Sequence, residues 1–477
     1  MKKAVTLFSI ILAAALTLTG CDLLDSRNVT NPDVTEEAAL ANPNPLRAWI
    51  GGLERQLAIT KNNTVLVAEL ATDNYINTQT FFNQAFDSQT FDYRDTDIDD
   101  GLFTMNDLRE SAIFGKESVL PADPEARPDD IAELDFFLGY AHIMLGEYFE
   151  DAPLTGGADA ATPTDHFNEA VTALEAAIES GDGDPVSYNL ALARAQYNLG
   201  NIGAAREAAN AALAADDDYV RFVQYDFNND PTNTMQDGVY DRATFDDLQP
   251  LPRLDFLDPK YANLGAGDEE TFIPFIKAEE AHLILIEAFL AEDNLSNAQD
   301  QMLELIDLVD ARPVRDVDES FEGRTQDDPG SRPDNSGVVV RASPDDDFRS
   351  GLVLDRTEAT PSPSISGTSV TAAIVNNIAN TDEAWEILYL MRQEIFLGEG
   401  RRFVDFGIKY PLSQTEVQVN ENFDESGSII EPSIPSYIDG QPLDAFTYDA
   451  DAGEATIEVN MNAVLSSNRA AVSPFLQ

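Results

Sequence analysis

The chain has 477 residues, 43% of them hydrophobic, which is enough to bury a sizeable core. Its formal charge is -57 at pH 7, from 86 acidic against 29 basic residues. Such a field repels phosphate backbones and excludes nucleic acid as a partner. The one cysteine, Cys21, excludes an internal disulfide. The acids are spread along the whole chain, which reads as a surface solvated for high salt.

Residues 1–20 read as a targeting segment. Lys2 and Lys3 give a positive start, and the apolar run from Ala4 to Leu18 is too short for a comfortable membrane span. Leu18-Thr19-Gly20-Cys21 then resembles a bacterial lipobox, with Cys21 where processing would expose it for lipidation. Several acyl chains, at about 0.8 kcal/mol per buried methylene, would anchor the chain to a membrane. Residues 21–45 read as a tether, punctuated by Asn31-Pro32, Asn42-Pro43 and Asn44-Pro45. Leu46, Trp49, Ile50, Leu53 and Leu57 recur at helical spacing, and a second helix is expected around residues 65–71.

Residues 72–104 change character. Tyr75, Phe81, Phe82, Phe86, Phe91, Tyr93 and Phe103 are interleaved with amides and acids, without a clean helical period. Rings beside such groups suit oligosaccharide or peptide contacts, although any single ring is more often packing in an irregular core. Asp73, Asn74, Tyr75 and Phe81 are the candidate ligand contacts here. Asp95-Thr96-Asp97-Ile98-Asp99-Asp100-Gly101 resembles the start of a calcium loop. Its glycine falls one place late and Asn106 stands where a glutamate belongs, so no metal is expected.

Two helical hairpins follow, over residues 131–180 and 187–215. Thr162-Pro163-Thr164-Asp165 marks a helix start, with Thr162 as the cap and Pro163 in the first turn. Ala170, Leu174 and Ala177 of the first hairpin superpose on Ala205, Ala209 and Ala212 of the second. This resembles the small-residue signature of tetratricopeptide repeats, which scaffold and bind but do no chemistry. Residues 216–267 form a second aromatic-rich stretch, with Tyr225 and Phe227 as candidate ligand contacts. A third hairpin is expected at 275–309, an exposed insertion at 313–350, and a helix at 382–397 that ends in a turn through residue 406. The tail from Tyr410 reads as loop, with a short strand at 455–459. His142, His166 and His282 each fall alone on a predicted helix, without metal-ligand spacing.

Three blocks in order carry a resemblance to a known family. They are residues 139–154 (GYAHIMLGEYFEDAPL), 275–289 (FIKAEEAHLILIEAF) and 387–406 (ILYLMRQEIFLGEGRRFVDF), all after the lipobox. Together they resemble the SusD/RagB family of outer-membrane nutrient-binding lipoproteins. The resemblance implies a mainly α fold over residues 46–477, in which tetratricopeptide-like hairpins (131–215, 275–309, 382–397) support a loop-rich ligand-binding half (72–104, 216–267). It implies surface exposure at the outer membrane, a glycan or peptide ligand, and delivery to a TonB-dependent SusC-like β-barrel. The family's C-terminal Pro-rich segment is not evident. Trp49 and Trp385 fall on structural-looking helices and offer no loop platform for a sugar. Arg392, Arg401, Arg402 and Asp405 read as ion pairs around a helix end. A repeat-containing envelope scaffold is the alternative. An enzyme is not expected: the chain has no Gly-x-Ser-x-Gly elbow, no His-Glu-x-x-His and no phosphate-binding loop, and no cofactor is implied.

Overall fold

The computed structural model describes residues 40, 43–77, 84–226, 228, 231–241, 248–262, 270–317, 332–333, 335–355 and 359–477. Cys21, Phe81 and Phe227, most of the tether, and part of the insertion expected at 313–350 lie outside the described residues.

The chain opens with α1 (Pro45–Asn62) and α2 (Val65–Leu70), as their periodicity predicts. After strand β1 (Tyr75–Asn77) comes α3 (Thr96–Phe114), where the sequence showed no clean helical period. Ile98, Leu102, Met105, Leu108 and Ala112 form its buried face. The calcium-loop resemblance is corrected by the same helix. Asp95 caps it, accepting a hydrogen bond from Asp97 N at 2.9 Å, so the acids serve a helix start.

The hairpins follow the small-residue pattern. The first pairs α4 (Pro128–Tyr148) with α5 (Pro163–Glu179), and the second pairs α6 (Pro185–Asn198) with α7 (Ile202–Ala215). Thr162 and Asp165 form a full capping box at the start of α5. The helices of the first pair touch closely through Gly139, where a Cβ would lie 2.7 Å from Leu174 Cγ. Ala170, Leu174, Ala177, Ala205, Ala209 and Ala212 are fully buried.

Strands β2 (Val220–Val223), β3 (Leu248–Pro250) and β4 (Ile273–Lys277) come next. The expected start of the third hairpin is thus corrected: residues 275–277 are strand, and helices α8 (Ala278–Ala291) and α9 (Leu295–Ala311) make the hairpin. β1 pairs antiparallel with β3, which joins the two aromatic-rich stretches, and β2 pairs antiparallel with β4. Strand segments also occur around the expected insertion, as β5 (Val314–Val317), β6 (Val339–Arg341) and β7 (Thr360–Pro363).

The last third is more ordered than its sequence suggests. Helix α10 (Thr381–Ile395) is as expected, but the turn after it is a short helix, α11 (Arg401–Phe406). The tail holds β8 (Phe446–Asp449), β9 (Glu454–Ile457) and α12 (Met461–Ser467), where loop was expected apart from one strand. α10 packs on α12 and on α8, so the fourth helical pair is completed by the tail. One continuous apolar cluster runs from Leu46 to Phe475. Trp385 is buried and stacks on Tyr389, while Trp49 is half-buried and donates to Ser111 O at 2.9 Å.

Many cations lie inside. Arg109, Arg194, Lys260, Lys277, Arg392 and Arg402 are buried, but buried acids such as Glu147, Glu287, Glu399 and Asp405 accompany them, so nearly all of the net negative charge stays on the surface. The melting temperature is therefore expected to climb from low to molar salt as surface repulsion is screened. A flat profile in calorimetry would refute this.

The expectation of three solitary histidines is corrected. His142 and His166 meet across the first hairpin with Nδ1 atoms 3.0 Å apart, and His166 Nε2 lies 2.9 Å from Ala152 O. His166 must donate from Nε2 to that carbonyl, so its Nδ1 accepts from His142 Nδ1–H. Burial pushes His142 down to about 3 and His166 to about 4, with Arg109 beside both and Asp165 and Lys409 facing His166. Both values lie below the ordinary 6.5, so the unfolded chain binds more protons in that window. Stability is lost as pH falls from about 6.5 towards about 4, by at most about 1.4 kcal/mol per pH step for each ring. Urea midpoints should fall less steeply over this window in His166→Gln than in the native chain. Equal slopes would remove the pair as the cause.

Candidate functional site

A cleft of about 960 Å³ opens between α1 and the β2 edge. Gly51, Glu54, Arg55 and Leu57 of α1 line one side, and residues 220–226 line the other. Phe137 and Phe275 close the floor, and both are buried. Phe272 stands at the mouth, 41% exposed, with its ring centre 6.5 Å from that of Phe222.

Arg221 is fixed in the wall. Its guanidinium lies 4.5 Å from the Phe136 ring centre and donates to Glu133 Oε2 at 2.7 Å and to Ser187 Oγ at 3.2 Å. Burial works against its charge, but Glu133 holds it protonated above the usual arginine range. Tyr225 is buried against the cleft, and its hydroxyl has no hydrogen-bond partner among the described residues. Burial pushes that phenol well up, so it stays a neutral donor. Apolar rings, one free hydroxyl and the polar rim of Glu54, Arg55, Gln224 and Asp226 suit reversible binding of an oligomer.

Of the predicted contacts, Tyr225 lines this cleft. Asp73, Asn74 and Tyr75 are corrected: they are interior, 2%, 0% and 1% exposed. Asp73 accepts two bonds from Arg402, Nε to Oδ1 at 2.7 Å and the second terminal nitrogen to Oδ2 at 2.9 Å. Asn74 donates to Glu69 Oε2 at 2.6 Å, and Gln393 donates to both Asp73 and Asn74. Gly400 N donates to Glu69 Oε1 at 2.6 Å, and burial pushes the Glu69 carboxyl up to about 7. Gly400 holds φ 76°, and a Cβ there would lie 2.5 Å from the Tyr148 hydroxyl. Polar residues beside rings looked like a ligand face. They instead brace α2 against α10 and α11.

The arginines read as ion pairs are buried ion pairs. Arg392 donates to Asp405 Oδ1 at 3.0 Å, and Arg401 lies 2.8 Å from Glu280. The cleft residues missed in the sequence are Glu54, Arg55, Arg221, Gln224 and Phe272. For Arg221 and Gln224 the signal was their place among Val220, Phe222, Val223 and Tyr225, which have strand composition; Glu54, Arg55 and Phe272 carried none.

No protein-family model matches the sequence, and no curated protein matches it. Solved structures do match. A SusD superfamily protein from Parabacteroides distasonis aligns over 82% of this chain and 99% of its own, with a TM-score of 0.54 and 11% identity. The chain has the SusD fold. A SusD superfamily protein from Bacteroides fragilis aligns over 81% of this chain and 99% of its own, with a TM-score of 0.52 and 14% identity. A SusD-like protein from the same species aligns over 78% and 87%, with a TM-score of 0.52 and 10% identity. The cleft therefore lies on a SusD scaffold whose likeness to these structures is in shape far more than in sequence.

Proposed function

We propose that this chain is a lipid-anchored outer-membrane protein that captures glycans or other nutrient oligomers. It delivers them to a TonB-dependent SusC-like β-barrel. The observation that carries the reading is the cleft, with its ring pair and free buried hydroxyl, on a SusD fold. Among the described residues, no helix is long and apolar enough to cross a membrane. Anchoring falls to acyl chains on Cys21 after removal of residues 1–20. Residues 46–477 act as one domain, the hairpins supporting the loops that face ligand. Tyr225 contacts the ligand directly, and Phe81 and Phe227, one from each aromatic stretch, are the further contacts of this reading. Capture is non-covalent: rings stack on apolar ligand faces and the rim takes hydrogen bonds.

The test joins two measurements. An affinity-tagged chain is purified from membranes of its own host, and calorimetry is run against glycan and peptide panels. A co-purifying barrel and a saturable ligand are expected. The absence of both would sink the reading.

A further inference from the structure

The wall of the cleft is a strand that, among the described residues, has one open edge. Residues 220–226 line it without a break, and their first four form β2. Among the described residues, the sheet holding β2 has two strands, so β4 covers one edge only. Ala278 N donates to Tyr219 O at 2.9 Å. With the alternation of an antiparallel pair, Arg221 then faces β4 through its backbone and Val220 turns its N–H and C=O groups the other way; the register shifts between Arg221 and Phe222, and Phe222 stands opposite Pro274, which has no N–H to donate, so it too turns away. Beyond the ladder to β4, the backbone groups of residues 220–225 have no hydrogen-bond partner among the described residues.

The surroundings select what fits such an edge. The floor of Phe137 and Phe275 and the adjoining Leu57 are apolar and buried, and the Tyr225 hydroxyl is buried beside them without a partner among the described residues. Glu133 takes the charge of Arg221, and among the described residues the rim carries Glu54 and Asp226 beside Arg55. The whole chain adds a field of -57.

We propose that the cleft binds an extended, cationic peptide that adds to β2 as a third strand. This step rests on the capture reading and names its oligomer as a peptide. Backbone N–H and C=O groups of the peptide pair with the open edge, alternate side chains settle on the floor, and a peptide carbonyl accepts from Tyr225. Lysines at the peptide ends face the acidic rim. A glycan has no amide repeat at strand spacing and cannot fill this edge in the same way.

The test uses the mature chain and two probes. One is a capped heptapeptide of alternating valine and threonine with a lysine at each end, together with its singly N-methylated forms. The other is maltoheptaose. The heptapeptide is expected to bind. N-methylation at every second position should weaken it about tenfold, the loss of one hydrogen bond, and at the intervening positions should leave it unchanged. Gly51→Trp supplies the second arm, because no atom lies within 4 Å of a Cβ built at Gly51. It should abolish binding without lowering the melting temperature. Peptide binding that ignores the N-methyl pattern, or survives Gly51→Trp, overturns strand addition. Maltoheptaose binding without peptide binding also overturns it, but leaves the capture reading standing. Binding of neither probe overturns it and counts against capture through this cleft as well.

Discussion

Asp73→Ala is expected to cost about 3–5 kcal/mol of folding stability, the usual result of stripping one partner from a buried ion pair. Arg402 is 1% exposed and takes both of its Asp73 bonds in a two-pronged contact. A guanidinium cannot shed its proton to escape burial, so the variant strands a full charge in the core. Gln393 loses an acceptor in the same step. The check is a double-mutant cycle with Arg402→Met, read by urea unfolding. The double variant should recover much of the loss, because apolar replacement of a whole buried pair is often close to neutral. The outcome also separates two roles for Asp73. A ligand contact on the surface would change stability by no more than about 0.5 kcal/mol and would act on binding.

Glu399→Gln should be of similar size and should carry a pH signature. Glu399 Oε1 accepts from Lys260 Nζ at 2.5 Å and from Lys277 Nζ at 2.6 Å. Lys277 also donates to Ile395 O at 2.7 Å and Lys260 to Leu397 O at 3.0 Å, so both ammonium groups are fixed where they stand. Without the carboxylate two buried cations face each other, and about 3–5 kcal/mol should be lost near neutral pH. Burial already pushes Lys260 down to about 8 from an ordinary 10.5. Between those values the unfolded chain holds more protons, so stability rises with pH across the window. The variant should depress Lys260 further and begin its recovery at lower pH. Urea midpoints at pH 6.5 and 9.5 would show the gap to the native chain narrowing. A gap that stays constant would mean that repulsion between the lysines is not its cause.

The hairpins were legible because their signals are local. Thr162 with Asp165 sets a helix start, and the alanines at 170, 177, 205, 209 and 212 mark close packing, all within a few turns of chain. α3 was hidden because Asp, Asn, Thr and Gly101 dilute a face that Ile98, Leu102, Met105 and Leu108 nonetheless complete. α12 was hidden in a polar tail, with α10 as the partner that stabilises it. The site was harder. Asp73 and Asn74 look solvent-facing beside aromatic rings, and nothing nearby announces that Arg402 and Gln393 will bury them. The open edge of β2 was equally silent. Strand composition is visible in residues 220–225, but which edge stays unpaired depends on β4, about fifty residues on.

The braces around Asp73 also bear on how the chain reaches its folded state. Asp73 and Arg402 are 329 positions apart, and Glu69 and Gly400 are 331 apart. Loops of that size must close before the interior of α2 is satisfied, which favours slow folding. A nascent chain lacking α10 and α11 would carry Glu69 and Asp73 without their partners, and α2 would lack the helix it packs on. Completion of the fold is then tied to arrival of the C-terminal residues. The local hairpins can form as they emerge, while the core around α2 closes last, once α11 is in place.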